Sequence, residues 1–197
     1  GETVEELWIM APFYDPGLRA LQAFLDNFSP ELVKILVQRK TTSLDPQLLQ
    51  KVIDGYRRGK IQVHAFHLQG DPTTYVHAKL YLIKTPSREI CLQGSPNLSQ
   101  VAMLRAGDSA NMEMANLFVG ETGNFTSLFS ALDILPQVLD LNTLELAYQE
   151  PEEILAIDQE SFYLQGGEWL QDDLVLFFGG KAPVGSDVTL LIGEKRV

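Results

Sequence analysis

Tyr75-Val76-His77-Ala78-Lys79-Leu80-Tyr81-Leu82-Ile83 is the stretch from which the rest of this chain is best read. Residues two apart on a strand face the same side, so His77 and Lys79 project together while Val76, Ala78 and Leu80 face the opposite layer. A second apolar run follows after a short turn, Glu89-Ile90-Cys91-Leu92-Gln93, and leads into Gly94-Ser95-Pro96-Asn97-Leu98-Ser99. That turn sends a hydroxyl from Ser95 and an amide from Asn97 back toward the imidazole and the ammonium. Its backbone, opening on Gly94, suits close approach to a ligand.

The four side chains suit a phosphate. A neutral imidazole nitrogen attacks phosphorus to give a covalent intermediate, and a lysine beside it offsets charge on the non-bridging oxygens. Asn97 and Ser95 can donate to the same oxygens. This logic requires neither a metal nor another cofactor. His64 and His67 lie three apart on an expected strand and so face opposite sides, which weighs against a shared metal between them.

Upstream, Leu7 to Pro12 reads as a buried strand, and Tyr14-Asp15-Pro16-Gly17 as a turn that launches a helix through Leu18, Leu21, Phe24, Leu25 and Phe28. Val33 to Val37 is a second strand, and Leu44 to Tyr56 a second helix, with Ser43 and Asp45 placed to cap it. The basic cluster Tyr56-Arg57-Arg58-Gly59-Lys60 stands where cations suit the carbonyl pole of a helix. Ile61 to Leu68 is a third strand, Val76 to Ile83 a fourth and Glu89 to Gln93 a fifth, with Lys84 to Arg88 as the hairpin turn between the last two. Met112 to Val119 reads as a sixth strand and Asn124 to Ile134 as a helix. Trp8, Phe13, Phe125 and Phe129 sit on apolar faces as core. The early strand-helix-strand order points to an α/β layer with some parallel pairing.

After about residue 150 the texture changes. Glu150-Pro151-Glu152-Glu153 reads as an acidic linker, and beyond it come short strands at Ile154 to Ile157, Phe162 to Leu164, Leu174 to Phe178 and Val188 to Ile192, divided by Gly-rich turns. The expectation is a domain over residues 1–150 and a β-rich extension over 151–197. So short an extension makes a poor core of its own, so the natural chain continues past Val197 or these strands pack on the first domain.

Composition narrows the function. The 197 residues are 45% hydrophobic and 21% charged, which fits a globular protein with a sizeable core. A net charge of −11 weighs against broad attraction to nucleic acid, so any phosphate site is local. No apolar run approaches the roughly 20 residues that span a bilayer, and the acidic start Glu2-Thr3-Val4-Glu5-Glu6 lacks the features of a signal peptide. The single cysteine, Cys91, reads as a small buried hydrophobe, and a reducing, cytoplasmic setting fits it.

His77-Ala78-Lys79, then Gly94-Ser95-Pro96-Asn97-Leu98-Ser99, then Asn111-Met112-Glu113 resemble the signature of the phospholipase D superfamily, particularly its nuclease-like branch. Those members carry His-x-Lys on one strand, a Gly-Ser-x-Asn turn after it and Asn-x-Glu on the next strand. Ala11-Pro12-Phe13-Tyr14-Asp15 is similar to the end of the family's first strand, so the resemblance covers residues 5 to 135 or so. It implies a phospholipase D-like α/β/α sandwich with a mixed sheet. It also implies roles: His77 as nucleophile, Lys79 and Asn97 as phosphate binders, Ser95 as a supporting hydroxyl beside Gly94, and Glu113 as a carboxylate orienting an imidazole, its own or a partner's. Members complete the site with two half-sites, which implies a homodimer here unless a second motif lies beyond Val197. Arg105, in the stretch before Asn111, would contact substrate at the rim.

Where the fuller family motif has an acid after the lysine, this chain has Lys84. The departure favours a nuclease over a lipid hydrolase. The resulting expectation is a metal-independent phosphodiesterase cleaving DNA through a covalent phosphohistidine. Its rivals are a phospholipid-processing enzyme, which calls for an apolar rim, and a catalytically silent domain that binds nucleic acid or partner proteins.

Overall fold

A computed structural model describes residues 2–106 and 110–148 with their side chains. Beyond them it describes the backbones of the strands Tyr163–Leu170, Asp173–Gly179, Leu191–Ile192 and Lys195–Arg196. The chain divides into two compact units, Gly1–Glu150 and Pro151–Val197.

The first unit is an α/β fold built on one mixed sheet. Its elements in chain order are β1 (Glu6–Met10), α1 (Arg19–Phe28), β2 (Leu32–Val37), α2 (Pro46–Gly55), β3 (Lys60–Leu68), β4 (Leu80–Lys84), β5 (Arg88–Gly94), α3 (Gln100–Met103), β6 (Ala115–Glu121) and β7 (Leu132–Gln137). The seven strands lie in the order β6-β5-β4-β1-β2-β3-β7. Strands β1, β2 and β3 run parallel, as their helical crossovers require, and the other pairings are antiparallel.

The strands at the centre of the sheet bury both faces. Leu7 and Ile9 of β1, Val33, Ile35 and Val37 of β2 and Val63 of β3 pack on Leu21 and Leu25 of α1 and Leu49 of α2. On the other face Met10, Leu36, Phe66, Leu82 and Cys91 pack on Phe129 from a 3-10 turn, Thr126–Phe129. Cys91 is buried as a free thiol, as its apolar run suggests. Helix α2 starts where its sequence says it should. Asp45 accepts from the backbone N–H of Gln47 at 2.8 Å and of Leu48 at 3.1 Å, and Pro46 stands where no N–H is needed. Asp15 does the same for α1, accepting from the amides of Arg19 and Ala20 at 2.7 and 3.0 Å.

Three expectations are corrected. The helix expected over Asn124 to Ile134 is the 3-10 turn followed by strand β7. Leu132 and Ile134 pack on the Phe129 side while Leu135 packs toward the helices, a two-residue alternation, and Pro136 is tolerated because β7 is an edge strand. Strand β4 starts at Leu80 rather than Val76, so His77 and Lys79 precede it. Its neighbour β1 ends at Met10, opposite Leu80, and Pro12 has no N–H to extend the ladder. Strand β6 starts at Ala115, so Asn111 and Glu113 lie in the segment leading into it.

In the second unit β8 (Tyr163–Leu170) pairs antiparallel with β9 (Asp173–Gly179), and β10 (Leu191–Ile192) with β11 (Lys195–Arg196). The expected linker at Glu150 to Glu153 and strand at Ile154 to Ile157 lie outside the described residues.

Candidate active site

The chain runs outward from β1 through β2 to β3, then returns to lay β4 on the other flank of β1. The order of the sheet therefore reverses between β1 and β4. In open α/β sheets the crevice outside the strand ends at such a reversal is where ligands bind. The segment Tyr75 to Lys79 fills this place, between the end of β1 and the start of β4. The segments after β5 and before β6 open on the same end of the sheet, because Gly94 closes β5 opposite Ala115.

Extended backbone keeps the expected alternation although the ladder is absent. Val76 and Ala78 lie on the side of the Phe129 cluster, and Lys79 and His77 meet on the other side, with Lys79 Nζ hydrogen-bonded to His77 Nε2. The other ring nitrogen, Nδ1, lies 2.8 Å from the phenol oxygen of Tyr75. These two partners select one tautomer. An ammonium can only donate, so Nε2 must accept, and a neutral imidazole then carries its proton on Nδ1 and donates it to Tyr75. The Nε2 lone pair is left pointing at the cation. Attack on phosphorus needs that lone pair free, so a bound phosphate would first draw the ammonium onto its own oxygens.

Lys79 is 8% exposed, whereas His77 is exposed. Burial pushes the Lys79 ammonium below the ordinary lysine range, and the Glu113 carboxylate opposes that shift. Two aromatic rings flank the imidazole: Tyr75 with centroids 5.4 Å apart and Phe13 with 6.1 Å. Phe13, expected in the core, is 43% exposed there, because the chain after β1 turns away from the sheet.

Glu113 is placed differently from the role the resemblance implies for it toward its own His77. One carboxylate oxygen accepts from the Ser95 hydroxyl and the other from the Asn111 amide at 3.3 Å. Ser95 also accepts from the backbone N–H of Met114 at 2.9 Å, so its hydroxyl is engaged in tying the β6 lead-in to the turn. Gly94 makes this possible: a Cβ there would stand 2.2 Å from the Met114 carbonyl oxygen. Asn97 is two residues further on, in a turn held from below by the Tyr81 hydroxyl donating to the Pro96 carbonyl at 2.8 Å. The Asn97 Oδ1 is buried without a hydrogen-bond partner among the described residues. That atom is an acceptor, as Tyr14 Oη, the other such buried atom, can also be, so the group of Asn97 that could bind a phosphate oxygen is its Nδ2 amide. No hydrogen bond joins Asn97 to His77 or Lys79 among the described residues. Arg105 is exposed just past α3.

Sequence reading missed Tyr75 and Gln38. The signal for Tyr75 was available, since it stands two residues before His77 and so on its side. Gln38 gave none. It accepts from the Val76 N–H at 2.9 Å and donates to the Thr74 carbonyl at 2.7 Å, anchoring the segment that carries His77. His64 and His67 have separate partners, Leu135 and Asp133. Among the described residues no three His, Cys, Asp or Glu side chains gather as a metal site would need, and no helix is long and apolar enough to cross a membrane.

No protein-family model matches the chain, and no curated protein matches it. Solved structures do. NucT from Helicobacter pylori is 18% identical, with 64% of this chain and 75% of NucT covered and a TM-score of 0.41. Yeast tyrosyl-DNA phosphodiesterase is 15% identical, with 59% of this chain covered and a TM-score of 0.37. A mutant of the yeast enzyme is 14% identical, with 63% covered and a TM-score of 0.38. The chain spans 27% of the length of the yeast enzyme in either form.

Proposed function

We propose that this chain is a metal-independent phosphodiesterase that cleaves DNA through a covalent phosphohistidine, in the manner of the phospholipase D superfamily its motifs resemble. The observation that carries the reading is the Tyr75-His77-Lys79 array, which leaves a neutral imidazole with its Nε2 lone pair beside a buried cation. Nε2 attacks phosphorus, a phosphorus–oxygen bond breaks, and the departing oxygen takes a proton from a second imidazole. Water then gives a proton to that imidazole and attacks phosphorus, which breaks the phosphorus–nitrogen bond and restores His77. Lys79 and Asn97 bind the non-bridging oxygens through both steps. Glu113 opposes the burial that lowers the Lys79 pKa, and Arg105 contacts substrate at the rim.

The second imidazole is His77 of another protomer in a homodimer, a reading supported by the exposed apolar residues of edge strand β6. A cytoplasmic setting fits the lone, buried Cys91. The test is cleavage of single- and double-stranded DNA in EDTA by the parent and by His77→Ala. Cleavage by the parent and none by the variant is expected. Full activity in the variant would remove His77 as nucleophile.

One observation favours a lipid phosphodiester as substrate instead. Met112 and Met114, on either side of Glu113, are 97% and 80% exposed and give the site an apolar rim. Headgroup release from phosphatidylcholine vesicles, with no DNA cleavage, would decide for that reading.

A further inference from the structure

We infer that the cleft beside the candidate active site, lined by Arg39, Lys40, His67 and Thr73, holds a second phosphate of the nucleic-acid strand whose scissile phosphate lies at His77. The inference rests on the phosphodiesterase reading of that site and extends it to how a strand lies across the protein.

The cleft encloses about 440 Å³ at the carboxyl ends of β2 and β3, the same end of the sheet as His77. It adjoins the segment that carries His77. Gln38 and Phe66 line both this cleft and the small depression next to it, whose remaining wall includes Tyr75, Val76 and Ala78 from the segment that carries His77. Gln38 also fixes that segment by its hydrogen bonds to Thr74 and Val76.

Charge makes the cleft specific. The chain carries 26 Asp and Glu against 15 Lys and Arg, yet three of the residues lining this cleft are Arg39, Lys40 and His67 and none is acidic. Two of them have a carboxylate partner outside it. Lys40 pairs with Glu145 at 3.3 Å, and His67 stands 3.6 Å from Asp133. A third carboxylate, Asp71, is turned onto the Thr73 and Thr74 hydroxyls. Arg39 is exposed and has no carboxylate partner among the described residues. A guanidinium left unpaired on the wall of a cleft, in a protein with so much negative charge, is a fork for a phosphate. Lys40 is less suited, being ion-paired and hydrogen-bonded through its backbone to Glu145.

The test uses the full chain carrying His77→Ala, so that the strand is not consumed, and a 5′-fluorescein single-stranded oligodeoxynucleotide of about a dozen bases. Anisotropy titrations over a range of salt concentrations in EDTA give Kd and its salt dependence, with and without Arg39→Ala. Arg39→Ala is expected to weaken binding about tenfold and to lower the slope of log Kd against log salt by about 0.7, the loss of one single-strand phosphate contact. Arg39 is exposed, so a melting temperature equal to that of His77→Ala is expected as a control on folding. Equal Kd and equal slope would overturn the inference, and so would failure of the His77→Ala protein to bind the strand. Cleavage by the parent is scored in parallel. A parent that cleaves while Arg39→Ala leaves binding unchanged means that the cleft is wrong and the active-site reading stands. Arg39-dependent binding by a parent that cleaves nothing means the reverse.

Discussion

The phenol oxygen of Tyr75 lies 2.8 Å from Nδ1 of His77, and Lys79 faces the other ring nitrogen. Attack through Nε2 puts positive charge on the imidazole, and a phenol accepting from Nδ1–H steadies that charge. In the proposed mechanism Tyr75 is thus a positioning residue whose hydrogen bond strengthens during the reaction. Hydrogen bonds to charged groups contribute about 1.5 kcal/mol or more, roughly tenfold in rate. Tyr75→Phe should therefore lower kcat about tenfold with KM and melting temperature unchanged, as read by steady-state cleavage and thermal denaturation. A change confined to KM would mean that Tyr75 only touches substrate.

Burial lowers the pKa of Lys79 and Glu113 raises it. In the proposed mechanism cleavage needs the ammonium, so activity should fall as pH rises through the folded-state value, which lies below that of a free lysine. Glu113→Gln removes the raising influence. The alkaline limb of its pH–rate profile should move to lower pH, and a limb that stays in place would show that Lys79 does not set it.

Burying an ammonium also costs stability. The cost is complete below the folded-state pKa of Lys79 and fades as pH climbs from there toward the unfolded value, where the unfolded chain binds more protons than the folded one. At neutral pH, then, Lys79→Met should raise the melting temperature while lowering kcat about 10²- to 10³-fold, the size of effect found when a charge-stabilising donor is lost. A destabilised variant would mean that Lys79 is a structural contact.

How much of this could be read in the sequence depends on the range of the interaction. Alternation placed His77 and Lys79 on one side, and that survives although Leu80 is the first residue with a ladder partner on β1. Asp45 was legible as a cap because capping is local. Leu132 to Leu135 was misread because an apolar run so short fits either period, and its pairing with Phe66 to Leu68, far away in sequence, decides for a strand. Gln38 was invisible for the same reason, since its partners stand 36 and 38 residues on.

Gly94 marks where the sequence pattern has a steric cause. Any Cβ at this position meets the Met114 carbonyl, and backbone cannot yield as a side-chain tip can. Gly94→Ala should cost about 1–3 kcal/mol, a drop of several degrees in melting temperature. It should also separate Ser95 from Glu113 and lower kcat. Wild-type stability in the variant would show that the β6 lead-in is free to shift.

Strand β6 is the open edge of the sheet beside β5, and Leu117, Phe118 and Val119 are 64%, 42% and 60% exposed there. Alternation puts Leu117 and Val119 on one face and Phe118 on the other, so both faces are apolar next to a row of backbone groups with no strand partner among the described residues. An uncovered edge of this kind invites another chain. In the proposed homodimer with two half-sites, a surface that covers these residues would also have to bring in the second histidine. The parent should sediment as a dimer, and Leu117→Lys combined with Val119→Lys should give a folded monomer that has lost most of its cleavage activity. A monomeric parent that cleaves DNA at full rate would remove the second protomer from the mechanism and leave water or another group of the same chain to protonate the departing oxygen.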